Sequence, residues 1–454
     1  MQTRRDFLKT GLIGAGGLVL GGLSIDSALY ARAKDNPSDK IKVGIVGFSD
    51  RCRASLIPSF MAHADELGFE LVAVSDIWNK RREEAVEYFR KNYNLPIKTF
   101  RNNEELYESG ICDAVIISTA DFQHATHLME AVKAGCDAYC EKPLAETMAD
   151  ARAVLKVAEN SGRVIQIGSQ RRSAPNYQSA YEYIRSGKFG PIRMVEMSWN
   201  VNQPQRWRRP ELVAILREED TDWKRFLCNR PYEPWDPRKY LEYRLFWPYS
   251  SGIPGQWMSH QIDTVHWFTG LSHPRSVSAL GGIYQWKDGR RNFDTFTAVM
   301  DYGPEDGSDG FQVLYTSRFT NSAGGVKEVY FSNGGMLNLD TNEVTSTGGL
   351  KAKDAAKMGM EPNLLETFKL PDVKVATSAN TGGDRMTNFH MRNWMECVRA
   401  RKVQTNAPVR AGYNHSIATM MANAASRTGK NVTFDEKRQE ILAGGKVFKP
   451  FNYI

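Results

Sequence analysis

The stretch Ile41-Lys42-Val43-Gly44-Ile45-Val46-Gly47-Phe48-Ser49-Asp50-Arg51-Cys52 decides the fold. Its first half is a short, β-branched apolar run closed by glycine, and residues 55–67 beyond it carry helical spacing. A buried strand that ends in glycine and feeds a helix is the opening unit of a parallel α/β sheet. Working outward, Glu70-Leu71-Val72-Ala73-Val74-Ser75-Asp76 is a second apolar run, followed by helical spacing over 78–92. A third strand is expected over 113–118, a helix over 124–134, and a fourth strand in Gly135-Cys136-Asp137-Ala138-Tyr139-Cys140. Thr147-x-x-Asp150 reads as a capping box that opens an amphipathic helix over 147–161, and residues 163–168 close the series. This alternation predicts a Rossmann-type doubly wound parallel sheet over residues 40–168.

The turn after the first strand stands where a dinucleotide fingerprint, G-x-G-x-x-G, would fall, and only Gly47 of the three glycines is present. Ser49 and Cys52 are small enough for the other two places; Ser49 adds a hydroxyl that donates to phosphate, and Asp50 and Arg51 complete the turn. Asp76 ends the next strand, where an acid accepts from a ribose 2′-hydroxyl and repels a 2′-phosphate. Lys80, Arg81 and Arg82 follow closely and offset that repulsion, so the expected cofactor is NAD, with NADP left open. A plain helix cap is the competing role for Asp76. Glu141-Lys142-Pro143 follows the fourth strand and sets an amine at the carboxyl edge of the sheet, where open α/β sheets bind ligands. A solvated lysine at a strand end is the plain alternative.

After residue 168 the pattern changes. Residues 192–199, 277–286, 295–302, 311–319 and 328–339 alternate at period two, joined by Gly, Asn and Asp turns. They predict an α+β substrate-binding domain over 169–454 with an open, mainly antiparallel sheet, closed by helices over 386–399 and 413–427. Within it, residues 202–250 gather Trp207, Trp223, Trp235, Tyr240, Tyr243, Arg244, Phe246, Trp247 and Tyr249. Aromatic faces stack on sugar rings and arginines hold hydroxyls or carboxylates. Taken singly, each of these residues packs a loop-rich region; together they fit a carbohydrate-sized cleft.

The chain of 454 residues is 41% hydrophobic and 24% charged, the balance of two soluble domains. A net charge of +7 without a long basic run argues against a nucleic-acid partner. At the N-terminus, Thr3-Arg4-Arg5-Asp6-Phe7-Leu8-Lys9 precedes an apolar, glycine-rich run over 11–23 and the small-residue site Ala31-Arg32-Ala33. Residues 1–33 therefore read as a twin-arginine signal peptide, too short in its apolar run to span a bilayer. The expectation is export to the periplasm or beyond, with no membrane span once the signal is removed. That pathway carries proteins already folded, often with a cofactor inside. The six cysteines show no zinc spacing and are read as small core residues, so no metal is expected.

Together, five segments resemble the Gfo/Idh/MocA oxidoreductase family. They are the strand from Val43 to Gly47, Ser118-Thr119-Ala120-Asp121-Phe122-Gln123-His124, Glu141-Lys142-Pro143, Gly168-Ser169-Gln170-Arg171-Arg172, and His260-Gln261-Ile262-Asp263 ahead of Trp267-Phe268-Thr269-Gly270. The resemblance implies hydride transfer between NAD(P) and a hydroxyl of a sugar, polyol or related compound, in a homodimer or tetramer. It places Lys142 on the family's catalytic lysine, and Glu141 and Pro143 beside the cofactor with Ser118, Thr119, His124 and Gln170. It places His260 on the histidine of the family's D-x-x-x-H pattern. The acid of that pattern falls on Gln256, and glutamine orients but takes no proton. Asp263, one turn beyond His260, is the candidate to orient the imidazole instead. Arg171, Arg172, Arg244 and Trp257 complete the implied substrate side.

Alcohol oxidation needs a base for the hydroxyl proton, and a histidine has a suitable pKa unperturbed. His260 is accordingly assigned as base and Lys142 as the cation that polarises the oxygen or relays the proton; Lys142 as base stays open. Two other functions compete. One is an NAD-dependent glycosidase of the oxidation–elimination type, whose related branch carries tyrosine three residues before the histidine, where this chain has Trp257. The other is a sugar-binding protein without turnover, suggested by the reduced glycine fingerprint and by Gln256.

Overall fold

The computed structural model describes residues 40–304, 306–372 and 385–453. The expected signal segment, 1–33, lies outside them. Six parallel strands form the first sheet: β1 (Ile41–Val46), β2 (Phe69–Ser75), β3 (Lys98–Phe100), β4 (Ala114–Ile117), β5 (Asp137–Cys140) and β6 (Ile165–Ile167). Their order is β3-β2-β1-β4-β5-β6, so chain direction across the sheet reverses between β1 and β4. Such a reversal opens a crevice at the carboxyl ends of the strands. β4 and β5 are buried at every residue, which is why both read as continuous apolar runs.

The helices that cover this sheet are α1 (Ile57–Leu67), α2 (Asn79–Tyr93), α3 (Asn103–Glu108), α4 (His124–Lys133) and α5 (Met148–Glu159). α1 follows a wider π-type turn, Cys52–Leu56, and ends where Gly68 turns left-handed at φ 70°. α5 begins as the sequence indicates: Thr147 Oγ1 accepts from the Asp150 N–H at 3.2 Å. β3 and α3 were not expected, because a three-residue strand and a charged six-residue helix carry too little periodicity.

Past α6 (Pro175–Arg185) the chain builds an eleven-stranded sheet. Its strands are β7 (Ile192–Asn200), β8 (Ser276–Gly282), β9 (Thr295–Tyr302), β10 (Phe311–Arg318), β11 (Val326–Ser332), β12 (Gly335–Asn338), β13 (Glu343–Thr345), β14 (Phe368–Lys369), β15 (Val432–Asp435), β16 (Glu440–Ala443) and β17 (Lys446–Val447). Every recorded pairing is antiparallel except β7 with β10, which is parallel. The run 328–339, read as one strand, is two: Asn333-Gly334 turns the chain so that Ser332 pairs with Gly335. β9 shows the one-sided character plainly, with Phe296, Ala298, Met300 and Tyr302 buried and Val299 facing out.

Three helices complete the chain: α7 (Ser259–Thr269), α8 (Arg385–Arg399) and α9 (Val409–Thr428). α9 is buried along most of its length because it touches α5 of the first unit as well as β8 and α7 of the second. α8 corrects the expected boundary, which assigned everything beyond 169 to the second domain. It packs on α1, and its Met391, Trp394, Met395 and Val398 join Ile57, Phe60 and Tyr139 in the core of the first sheet. The chain thus returns to its first domain near its end. Trp394 is fully buried, 6.0 Å from the Tyr139 ring. Trp394→Ala is expected to cost about 3–5 kcal/mol in chemical denaturation, with an early loss of dinucleotide-domain structure.

Candidate active site

Gly47 closes β1 at φ 86°, and its N–H donates to the Ser75 carbonyl at 2.9 Å. A Cβ there would stand 2.6 Å from Thr119 Cγ2, so the missing side chain is what lets the β1 and β4 ends approach. Ser49 Oγ lies 3.1 Å from Ser118 Oγ and accepts from the Cys52 N–H at 3.2 Å, which caps the π-type turn. Asp76 does not act only as a free acid. Its carboxylate accepts from the Phe48 and Trp78 N–H groups, both at 2.9 Å, tying the glycine turn to the start of α2. Burial raises its pKa. Asp76 also lines the cleft.

The charged residues of the turn are committed to protein partners. Asp50 receives Arg53 at 2.6 Å, Arg81 at 3.2 Å and Arg209 at 3.0 Å. Burial opposes its charge, yet the guanidiniums of Arg81, Arg53 and Arg209 hold its carboxyl well below the usual range. Arg51 donates to Glu141 Oε1 at 3.1 Å and to Thr387 of α8 at 2.9 Å. Gln170 donates to the same Glu141 oxygen at 3.0 Å and to the Tyr139 hydroxyl at 2.9 Å. Glu141 is thus an organising carboxylate, and Asp50 and Arg51 brace the turn.

Lys142 follows a buried strand, and a cis peptide joins it to Pro143. Its Nζ donates to the backbone carbonyl of Gln256 at 2.5 Å. Burial brings the amine down from 10.5 to about 8, although Glu141 and Asp121 pull it upward. The Gln256 side chain spans the cleft wall: its amide N–H donates to Asp121 Oδ2 at 2.5 Å, and its oxygen accepts from Arg244 Nε at 2.8 Å. Asp121, which also accepts from Ser250 Oγ at 2.6 Å, is the carboxylate that sequence reasoning missed. It lay inside the quoted Ser118–His124 motif, but nothing in its spacing tied it to residue 256, 135 positions away. Glu146 was missed as well. It holds the Ser251 N–H at 3.0 Å and fixes the loop that carries Gln256, and burial, aided by Asp121, pushes its carboxyl up to about 7. His124 docks at both ring nitrogens, 2.8 Å from the Pro143 carbonyl and 3.2 Å from that of Thr119. The Thr119 hydroxyl pairs with His127 at 3.0 Å.

His260 faces the same cleft, its ring stacked 5.8 Å from Trp199. Burial, reinforced by Lys142 and Arg171, lowers its pKa well below 6.5, so the imidazole is neutral. Of the two candidates, Lys142 is the one whose pKa, about 8, lies near neutrality, and it was the alternative base left open by the sequence. Asp263 does not orient this ring. It forms a forked pair with Arg172 at 2.7 and 3.0 Å, and burial of its carboxylate is outweighed by Arg172 and His415. Neither Arg172 nor Asp263 lines the cleft, so their expected place at the substrate is corrected too. Arg171 does line it while paired with buried Glu328.

Most of the 202–250 aromatics pack on one another: Trp223 stacks 5.2 Å from Phe226 and crosses Trp235 at 5.3 Å. Trp207, Tyr240, Tyr243 and Arg244 reach the cleft, where Trp257 lies 5.6 Å from Trp199. Among the described residues the cysteines form no disulfide and no cluster has the make-up of a metal site. No described helix is long and apolar enough to cross a membrane.

A dinucleotide-type sheet whose crevice opens onto a second, aromatic-walled sheet defines a two-domain nucleotide-binding class. Residues 41–169 match the family described as "Oxidoreductase family, NAD-binding Rossmann fold". Over these residues the chain is similar to the Gfo/Idh/MocA family. It is 29% identical over 168 residues to an inositol 2-dehydrogenase of Salmonella paratyphi B, covering 37% of this chain and 49% of that protein. It is 32% identical over 141 residues to a 1,5-anhydro-D-fructose reductase of Ensifer adhaerens, covering 29% of this chain and 42% of that one. The matched part therefore spans about half the length of these relatives. The fold extends further. The WlbA dehydrogenase of Bordetella pertussis, solved with NADH and UDP-GlcNAcA, aligns at TM-score 0.62 and 17% identity over 87% of this chain and 98% of its own. A myo-inositol 2-dehydrogenase of Lactobacillus plantarum aligns at TM-score 0.60 and 17% identity, over 87% and 100%.

The turn fits a dinucleotide, since Gly47 leaves room that a Cβ would fill and Ser49 and Asp76 present an acceptor-and-donor pair beside it. Gly47→Ala is expected to lower stability by about 1–2 kcal/mol from its left-handed φ. The same variant should weaken NAD binding at least about tenfold in calorimetry, because the backbone can no longer approach the pyrophosphate.

Proposed function

We propose that this protein is an NAD-dependent oxidoreductase that moves hydride to or from a hydroxyl of a sugar or sugar derivative. The observation that carries the reading is Lys142: an amine brought to about 8 at the carboxyl edge of a dinucleotide-type sheet, opposite Trp257 and His260. Inositol dehydrogenases and an anhydrofructose reductase among its relatives support polyol and sugar chemistry. They do not favour the glycosidase or the inert binding protein.

A bound nicotinamide supplies the two-electron hydride acceptor or donor. The chain supplies the rest. Unprotonated Lys142 keeps one N–H on the Gln256 carbonyl and directs its lone pair at the substrate hydroxyl, whose proton it takes. The resulting ammonium is favoured by Glu141 and Asp121, which already raise its affinity for a proton. Neutral His260 hydrogen-bonds the same oxygen and orients it, and the Trp199–Trp257 pair walls the sugar ring. Reduction runs the proton the other way.

The reading extends to location and assembly. The twin-arginine pattern supports export of the folded protein with its cofactor tightly held, because no soluble nicotinamide pool exists outside the cytoplasm. The open sheet face, with Leu280 at 76% and Val299 at 42% exposure, supports pairing of copies into a homo-oligomer.

Two outcomes are expected. Denatured mature protein releases stoichiometric nicotinamide, read by mass spectrometry; none released would contradict tight binding. In alcohol oxidation, kcat rises with pH through about 8 as Lys142 loses its proton. Lys142→Met lowers the rate by roughly 10²–10⁴-fold, whereas His260→Gln slows turnover and keeps the inflection. An inflection that survives in Lys142→Met would overturn the assignment.

A further inference from the structure

The cations at the substrate end of the cleft are not balanced. Arg51, Arg171 and Arg209, which line it too, are paired with Glu141, Glu328 and Asp50. Arg206 and Arg244 have no carboxylate within ion-pair distance among the described residues, although with Lys142 they gather around the adjacent positions 256 and 257. Lys142 meets the Gln256 carbonyl and Arg244 the Gln256 side chain, while Arg206 lies 5.3 Å over the Trp257 ring. Asp121 forms no ion pair with them, and its Oδ2 accepts from Ser250 and Gln256.

Arg206 is the telling member. Only 7% exposed, it leaves its buried Nε without a hydrogen-bond partner, and its Nη1 donates to Gln203 Oε1 at 2.8 Å. Arg171, 3% exposed, likewise leaves Nη2 unpartnered at the same cleft. Burial, together with the neighbouring Arg244 and Arg209, lowers Arg206 to about 10. Burying guanidinium N–H groups without acceptors is unfavourable unless a ligand completes them. A planar fork over an aromatic face is suited to a carboxylate or phosphate. A neutral sugar hydroxyl satisfies the hydrogen bond but not the charge.

We propose that the substrate carries an anionic substituent, a carboxylate or a phosphate, and that Arg206 with Arg244 binds it. The inference rests on the oxidoreductase reading of the same cleft and names the class of sugar. It also sets the substrate's direction: the anionic group points toward Trp257 and Arg206, and the reacting hydroxyl toward Lys142.

The test uses cofactor-loaded protein and calorimetric titration with three probes in each of the gluco, galacto and manno configurations: the neutral hexose, the hexuronate and the hexose 6-phosphate. At least one acidic sugar is expected to bind about tenfold or more tighter than its neutral counterpart, and the better of the uronate and phosphate arms identifies the anion. Arg206→Gln should remove that preference and leave cofactor content within about twofold, while Arg206→Lys, which keeps the charge without the fork, should retain part of it. Equal or tighter binding of the neutral sugars, or no acidic sugar binding at all, overturns the proposal. So does an Arg206→Gln protein that loses cofactor affinity instead, which would assign the cation to the dinucleotide. Acidic sugars that bind without any change in cofactor redox state would sink the oxidoreductase reading and leave this inference standing. Neutral sugars that turn over while acids do not bind would do the reverse.

Discussion

The site depends on one residue that touches both halves of the molecule. Gln256 takes the Lys142 amine on its backbone carbonyl, and its side chain joins Asp121 from the first domain to Arg244 from the second. An amide can do this because it donates and accepts at once; a carboxylate there would repel Asp121.

That arrangement determines which group titrates. Lys142 is desolvated by burial and then partly restored by two carboxylates, so its amine settles near 8. His260 is desolvated, and its largest charged influences, Lys142, Arg171 and Arg51, are cations, so it stays neutral. An active site separates acid–base roles in this way, by giving similar groups different neighbours. The rest of the frame holds the pair in register: Arg51 and Gln170 fix Glu141, Arg172 clamps Asp263 of α7, and α8 ties the glycine turn down through Thr387.

Much of this was legible in the sequence because it is local. The apolar runs of β1, β2, β4 and β5 announce a parallel sheet, and Gly47 announces the turn, since strand burial and backbone conformation are written in neighbouring residues. What was not legible is long-range. The Asp121–Gln256 link spans 135 positions, and the Arg172–Asp263 pair, mistaken for substrate contacts, spans 91. The return of α8 to the first core was hidden for the same reason: its apolar stripe says that it packs, not on what. Charge state was hidden too, because the pKa of His260 follows from burial and from cations brought by other elements rather than from its own motif.

The most direct measurement is the protonation state of Lys142 itself. With ε-¹³C-labelled lysine, and the Lys142 resonance assigned by its loss in Lys142→Arg, the midpoint of its NMR titration reports the amine without reference to turnover. The account predicts a midpoint near 8. A midpoint at the ordinary lysine value of about 10.4 would mean that the amine is a permanent cation at neutral pH, and would contradict its role as the base.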